Sequence, residues 1–335
     1  MNFQTLTKVE TDDFYLDIAF SSAKKAAAKA RMNSFTTRLQ KSRFIEQERI
    51  REVEEVLCRH FDLIVTSFPS FDALSGFYQE LLQNSIDIVS MKKALSQISF
   101  VRHKIQEFSR KYLANVKRTT KLLGVNVHRR AYYGRISSLV GQLHDDLLFL
   151  EQARQIMKGF PSVRTGIPSV ALCGYPNVGK STMLKELTGS PVKISAYAFT
   201  TTRLLLGYMS LPYAEVQVID TPGVLNRDAK VNTVEFVSYL AVRHLANVCI
   251  FVLDLTESCG YDAKKQQLLF SSLCKRFRKT FVVYLSKTDL LEPSKVDAYK
   301  KEHANIIVLT SKEEILTLLS RELQTASFRR QKQKA

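Results

Sequence analysis

The spacing of apolar residues changes character near the middle of the chain. Between residues 45 and 61, Ile45, Ile50, Val53, Val56, Leu57 and Phe61 recur mostly at helical spacing. Leu139, Leu143, Leu147, Leu148 and Leu150 do the same later. Phe68-Pro-Ser-Phe-Asp72 breaks the pattern as a turn, and Gly124 reads as a further helix end. From residue 170 onward short β-type runs appear at 170–173, 204–208, 215–219, 248–253, 281–285 and 306–309. Helical stretches lie between them at 181–187, 233–245, 262–277 and 313–323. Such alternation predicts an α/β fold, a mainly parallel six-stranded sheet with helices on both faces. The first half predicts an all-α bundle of long helices that bury their apolar stripes on one another.

Glycine and proline sharpen the division. Residues 1–160 hold five Gly and one Pro, whereas residues 161–335 hold seven of each. Helix interiors exclude Pro and disfavour Gly, so the first half is the helical one. The expected organisation is a helical domain over 1–160, an α/β domain over 161–325 and a basic tail over 326–335, disordered from Arg329 to Ala335. A length of 335 residues accommodates two domains. No apolar run approaches the ~18–20 residues of a membrane span, and no signal peptide is legible. Five cysteines without a Cys-x-x-Cys pair argue against a disulfide framework or a zinc site and fit a reducing compartment. The six histidines show no ligand spacing.

Charge adds a partner. Lys and Arg number 49 against 32 Asp and Glu, a net +17, which suits a large polyanion. The excess is blocky. Residues 18–45 carry seven bases and no acid, and residues 108–144 carry eight bases and no acid. These blocks predict an RNA-binding face, with Tyr112, Tyr132 and Tyr133 available for base stacking. The competing expectation is a solvated face whose tyrosines belong to the core.

The α/β half carries the chemistry. Gly174-Tyr175-Pro176-Asn177-Val178-Gly179-Lys180-Ser181 fits G-x-x-x-x-G-K-[ST] between a strand and a helix, followed by Thr182. Its backbone N–H groups would cradle phosphates, Lys180 would reach the β- and γ-phosphates, and Ser181 would ligate Mg²⁺. Asp220-Thr221-Pro222-Gly223 ends a second strand, with Asp220 at the Mg²⁺ and Gly223 sensing the γ-phosphate. Between them, Thr201, or else Thr200, would complete the Mg²⁺ shell. Ser286-Lys287-Thr288-Asp289 approaches the Asn-Lys-x-Asp guanine motif. Asp289 would accept from the ring N–H and the exocyclic amine of guanine, a pair that adenine lacks. Lys287 would lie along the base. Ser286, shorter than asparagine, predicts weaker binding. Ser311 would read guanine O6 through its N–H, and Lys312 would pack over the base.

The order of these motifs resembles a translation-factor-type GTPase. More narrowly, Cys173-Gly-Tyr-Pro-Asn-Val-Gly-Lys-Ser181, Ala196-Tyr-Ala-Phe-Thr-Thr201 and Glu257-Ser-Cys-Gly-Tyr261 resemble the nucleolar GTP-binding protein family, the Nog branch of the Obg-like GTPases. Leu16-Asp-Ile-Ala-Phe-Ser-Ser-Ala-Lys-Lys25, Phe77-Tyr78 and Tyr133-Gly-Arg-Ile-Ser137 extend the resemblance into the helical half. It implies a P-loop GTPase domain binding GTP or GDP with Mg²⁺, acting in assembly of the large ribosomal subunit. The implied partners are the subunit precursor, ribosomal RNA and ribosomal proteins, with no membrane and a monomer off the ribosome. Without the long C-terminal extension of eukaryotic members, the chain resembles the compact archaeal form, so the cytoplasm is expected, or the nucleolus in a eukaryote. Val224, where a water-orienting glutamine stands in Ras-type enzymes, predicts slow hydrolysis. Asn177 matches the position at which some related GTPases hold K⁺ beside the phosphates. The alternatives are an RNA-binding assembly scaffold with degenerate nucleotide use and, more remotely, a P-loop ATPase acting on RNA.

Overall fold

The computed structural model describes residues 3–189, 193–196, 203–221 and 233–332. The chain divides into two compact units. Phe3–Ala73 and Leu82–Lys158 form a helical unit, while Leu74–Leu81 joins the chain from Gly159 onward.

The helical unit contains α1 (Asp12–Ala30), α2 (Arg38–Ser67), the end of α3 (Gly76–Ser85), α4 (Ile88–Arg118), α5 (Leu122–Gly141) and α6 (His144–Lys158). Side-chain caps fix three starts. Thr11 accepts from Phe14 N–H before α1, Thr37 and Gln40 form a capping box at α2, and Asp87 accepts from Val89 and Ser90 N–H at α4. α1 buries Ala19, Ala23, Ala27 and Ala30, a stripe of small residues that lets it lie close along α2. α2 buries all six apolar residues expected of it, and its other side packs on α4. The break after α4 falls at residues 119–121 rather than at Gly124. That glycine sits in the first turn of α5, where a Cβ would lie 2.7 Å from Thr119 Cγ2.

The second unit is a sheet of β1 (Ser169–Cys173), β2 (Lys193–Ala196), β3 (Arg203–Leu211), β4 (Ala214–Asp220), β5 (Val248–Asp254), β6 (Thr280–Ser286) and β7 (Val308–Leu309). Their order is β2-β3-β4-β1-β5-β6-β7. The four pairings from β4 through β1, β5 and β6 to β7 are parallel, and β2-β3-β4 is an antiparallel edge. The sheet is thus mainly parallel and contains all six expected strands. The four-residue β2, too short to show a period, extends its edge.

Alternation sorts the two faces. Val170, Leu172, Val248, Ile250 and Val252 join a core with α7 (Lys180–Thr188) and α11 (Lys312–Lys332). Ala171, Cys173, Cys249, Phe251 and Leu253 join another core on the opposite face. Its helical partners are the π-helical turn Ala241–Leu245 after α8 (Thr233–Leu240), together with α9 (Ala263–Arg276) and α10 (Pro293–Glu302).

One expectation fails here. α11 runs on to Lys332, through the basic stretch expected to be disordered, because residues 312–332 contain neither Gly nor Pro. The segment Leu74–Leu81, within the stretch expected to form the helical domain, packs with the second unit. Tyr78 anchors it there: its ring is fully buried, and its hydroxyl donates to Pro161 O at 2.8 Å and accepts from Val163 N–H at 3.1 Å.

Candidate functional site

The described candidate residues follow the C-terminal ends of the parallel strands, where open α/β sheets bind ligands. Register explains the convergence. Leu172 of β1 pairs with Asp220 of β4, and Asp254 of β5 pairs with Ser286 of β6.

The loop from Gly174 to Gly179 leaves β1 and enters α7 through positive φ at Gly174 (134°), Asn177 (61°) and Gly179 (101°). Gly174 allows no side chain, because a Cβ would lie 2.5 Å from Val252 O. Val178 is fully buried and anchors the loop in the core, while Asn177 and Thr182 are exposed. α7 starts at Gly179 without a side-chain cap, which leaves its first turn to an anion. Lys180 is buried and donates to Tyr175 O at 2.6 Å, closing the loop upon itself. Burial pulls its ammonium below the usual lysine range, against the pull of Asp220.

Ser181 Oγ donates to Asp220 Oδ2 at 2.5 Å, so the two predicted Mg²⁺ ligands already meet. The other carboxylate oxygen, Asp220 Oδ1, is buried with no hydrogen-bond partner among the described residues. Burial pushes the Asp220 carboxyl up, despite Ser181 and Lys180. A hydroxyl and a carboxylate with an orphaned oxygen are hard donors and fit a Mg²⁺ ion completed by phosphates and water. Thr221 does something else. Its N–H and its hydroxyl both donate to Leu172 O, at 3.2 and 2.6 Å, which pins β4 to β1 and spends both donors. Thr200, Thr201, Pro222, Gly223 and Val224 lie outside the described residues.

At the guanine end Ser286 Oγ donates to Leu253 O at 3.3 Å. Lys287 donates to Asp254 Oδ2 and to Ser258 Oγ, both at 2.7 Å, with φ 53°. Asp289 is exposed. Two further candidates already hold partners of their own. Ser311 N–H, expected to read O6, donates to the Glu314 carboxylate at 3.3 Å, and Lys312, expected over the base, reaches Glu186 O at 2.7 Å. Glu314 holds Thr310 N–H as well, at 2.6 Å, so one carboxylate ties down both N–H groups of that turn.

Sequence reasoning missed Asp254 and Gln266. Gln266 is fully buried on α9. It accepts from Asp254 N–H at 2.9 Å and donates to Asp254 O at 2.8 Å and Tyr261 O at 2.9 Å. Its polarity at a core-facing helical position was the available signal. Cys259 and Tyr261 now have a physical account. Cys259 N–H donates to Asp254 Oδ2 at 3.1 Å, and the Tyr261 ring stacks on Tyr175 with centroids 4.1 Å apart.

In the helical unit, Arg43 Nε donates to Thr119 O at 2.8 Å, which brings the two acid-free segments together. Lys24, Lys25, Lys29, Lys117, Arg118, Lys121 and Arg130 are exposed there. Tyr132 is not available for stacking. It is fully buried and its hydroxyl shares a 2.8 Å hydrogen bond with Ser109. Tyr133 stacks on Phe20 with Arg129 over its ring, and Arg129 lies 2.8 Å from the buried Glu46 carboxylate. Tyr112 packs against Tyr132. Among the described residues, no cluster of His, Cys, Asp or Glu is built to hold a metal, and no helix is long and apolar enough to cross a membrane.

Comparison with known proteins agrees on both halves. Residues 3–164 match the family described as the NOG1 N-terminal helical domain, and residues 169–287 match the 50S ribosome-binding GTPase family. The chain is 30% identical over 295 residues to MJ1408 of Methanocaldococcus jannaschii, covering 88% of this chain and 83% of that protein. It is 32% identical over 272 residues to nucleolar GTP-binding protein 1 of Saccharomyces cerevisiae, covering 78% of this chain and 42% of that one. With the Eremothecium gossypii protein of the same name it shares 30% over 320 residues, 95% of this chain and 49% of that one. The chain therefore spans less than half the length of these fungal relatives. A crystal structure of a nucleolar GTP-binding protein 1 from Plasmodium falciparum, 27% identical, covers 52% of this chain and 97% of that one at a TM-score of 0.41.

Proposed function

The chain belongs to the nucleolar GTP-binding protein family, and on that premise we propose that it is a GTP-dependent switch in assembly of the large ribosomal subunit. One observation carries the nucleotide half of this reading. Ser181 and Asp220 converge to 2.5 Å with Asp220 Oδ1 orphaned, beside a phosphate loop whose lysine is desolvated. A Mg²⁺ ion held there would neutralise the β- and γ-phosphates. Lys180 would exchange Tyr175 O for phosphate oxygens, and the loop N–H groups and the first turn of α7 would surround the rest. Asp289 would select guanine. The proposal extends to slow hydrolysis without an activator, to K⁺ beside the phosphates at Asn177, and to catalytic roles for Lys180, Thr201 and Gly223.

The basic helical unit would contact ribosomal RNA. Exposed lysines and arginines at the joined ends of α1, α2, α4 and α5 support this, and charge of one sign suits phosphates. Ribosomal proteins and the subunit precursor would be its neighbours, the cytoplasm or a nucleolus its location, and the free protein a monomer. The organisation proposed is a helical domain to residue 160, a GTPase domain to 325 and a basic end. A second reading, an RNA-binding scaffold with weak nucleotide use, draws on Ser286, whose hydroxyl is spent on Leu253 O.

The test is competition of unlabelled GTP, GDP and ATP against a fluorescent GDP analogue with Mg²⁺ present. Displacement by GTP and GDP but not ATP is expected. Equal displacement by ATP, or no binding of the analogue, favours the scaffold.

A further inference from the structure

Ser286 stands where the guanine motif carries an asparagine, and the residues around it show what else braces this end of the site. Ser286 lies beside the phosphate loop, since a Cβ added to Gly179 would be 3.7 Å from Ser286 Cβ. Its hydroxyl turns away from that loop, toward Leu253 O. Lys287 is held instead. Its ammonium donates to Asp254 Oδ2 and Ser258 Oγ, both at 2.7 Å, and its backbone sits in the left-handed region at φ 53°. A non-glycine residue persists there when its surroundings over-determine it.

Asp254 is the hub of those surroundings. It is fully buried at the end of β5. Its carboxylate accepts from Thr256 N–H at 2.9 Å, Thr256 Oγ1 at 2.5 Å, Ser258 Oγ at 3.1 Å and Cys259 N–H at 3.1 Å, as well as from Lys287. Gln266 clamps the Asp254 backbone from α9 on both its N–H and its carbonyl. The loop folded around this carboxylate turns through positive φ at Glu257 (59°) and Gly260 (86°) and delivers Tyr261 onto Tyr175 of the phosphate loop. A continuous chain of contacts therefore runs from Lys287 through Asp254, Cys259 and Tyr261 to Tyr175.

We propose that Asp254 is a positioning residue of the nucleotide site: it fixes Lys287 in the guanine motif and, through the loop to Tyr261, ties that motif to the phosphate loop, a bracing that Ser286 does not supply. The proposal deepens the guanine-nucleotide reading and rests on it. Asp254 acts through Lys287, whose ammonium it holds. A loop that merely caps β5 would not need a lysine from beyond the neighbouring strand.

The experiment is a double-mutant cycle on the full chain: wild type, Asp254→Asn, Lys287→Met and the double variant. Each is titrated with GDP and with ADP in Mg²⁺, and each is checked by thermal unfolding. Losing one hydrogen bond between charged groups corresponds to about tenfold in affinity. Asp254→Asn should therefore weaken GDP about tenfold while narrowing the preference for GDP over ADP. In the Lys287→Met background the same change should cost less than about twofold, because the partner is already gone. Equal losses in both backgrounds, or equal losses for GDP and ADP, would assign Asp254 a structural role and overturn the proposal. If Asp254→Asn does not fold, the exposed Ser258→Ala removes one of the two Lys287 partners. About threefold weaker GDP binding is then expected, and wild-type binding would overturn the proposal. Failure of the wild-type protein to bind GDP would overturn the guanine reading itself. Wild-type binding that Asp254→Asn leaves intact would overturn this inference alone.

Discussion

At the phosphate end of the site the backbone does most of the shaping. Gly174, Asn177 and Gly179 hold positive φ within six residues, Gly174 passes against Val252 O, and the loop runs directly into α7. At the guanine end side chains from separate elements do it: Asp254 from β5, Gln266 from α9 and Lys287 after β6. The first design is contiguous in sequence and tolerates few residue types at each position. The second is assembled by the fold, and each of its members looks ordinary in isolation. Neighbouring halves of one site can thus differ in how they store their geometry, one in dihedral angles and the other in a buried hydrogen-bond network.

The contrast can be broken by substitution. Gly174→Ala should be the more damaging change, since it meets both a left-handed φ and a carbonyl 2.5 Å from the new Cβ. Strain and overpacking together should cost about 3 kcal/mol or more, read by urea unfolding. A loss below about 0.5 kcal/mol would show that the loop relaxes freely. Gln266→Leu keeps the bulk and removes every bond to Asp254 and Tyr261. Buried backbone groups left unpaired should lower stability by about 2 kcal/mol, and GDP release should quicken while the phosphate loop stays intact.

The smallest effect sharpens the comparison through pH. Burial alone would raise the Asp254 carboxyl, but the hydrogen bonds from Lys287, Thr256 and Ser258 hold it below its ordinary 3.8. An acid whose folded pKa is depressed contributes stability that is complete above the unfolded value and fades as pH falls below it. The stability advantage of wild type over Asp254→Asn should therefore be full at about pH 5 and shrink below about pH 3.8, measured by urea midpoints. A difference independent of pH would remove the ion pair from the account.

The same contrast explains what could be read from the sequence. The α2 core was legible because Ile50, Val53, Leu57 and Phe61 repeat with the helical period over a long element. The central strands were legible because Val170 to Cys173 and Val248 to Leu253 are apolar on both faces, as buried parallel strands must be. α10 was missed because its ten residues bury only Tyr299 and show no stripe. Tyr132 looked like a stacking surface amid basic residues, yet Ser109 and Ile50 O give its hydroxyl buried partners in the core. The excursion of Leu74–Leu81 into the second unit depends on Tyr78 meeting Pro161 and Val163, more than eighty residues away, which no local pattern announces. Ser311 and Lys312 were assigned by position alone. The structure gives their polar groups to Glu314 and Glu186, partners invisible to motif spacing.

The central claim is that this site reads guanine through Asp289, and changing the base together with its reader tests it most directly. Guanine offers two donors to a carboxylate, the ring N–H and the amine, whereas xanthine carries a carbonyl in place of the amine. An amide at position 289 can accept from the ring N–H and donate to that carbonyl. Calorimetric titration of wild type and Asp289→Asn with GDP and xanthosine diphosphate should show wild type preferring GDP and the variant reversing that preference, each by about tenfold or more. An unchanged order of preference in the variant would contradict the assignment of Asp289 and, with it, the guanine-specific switch.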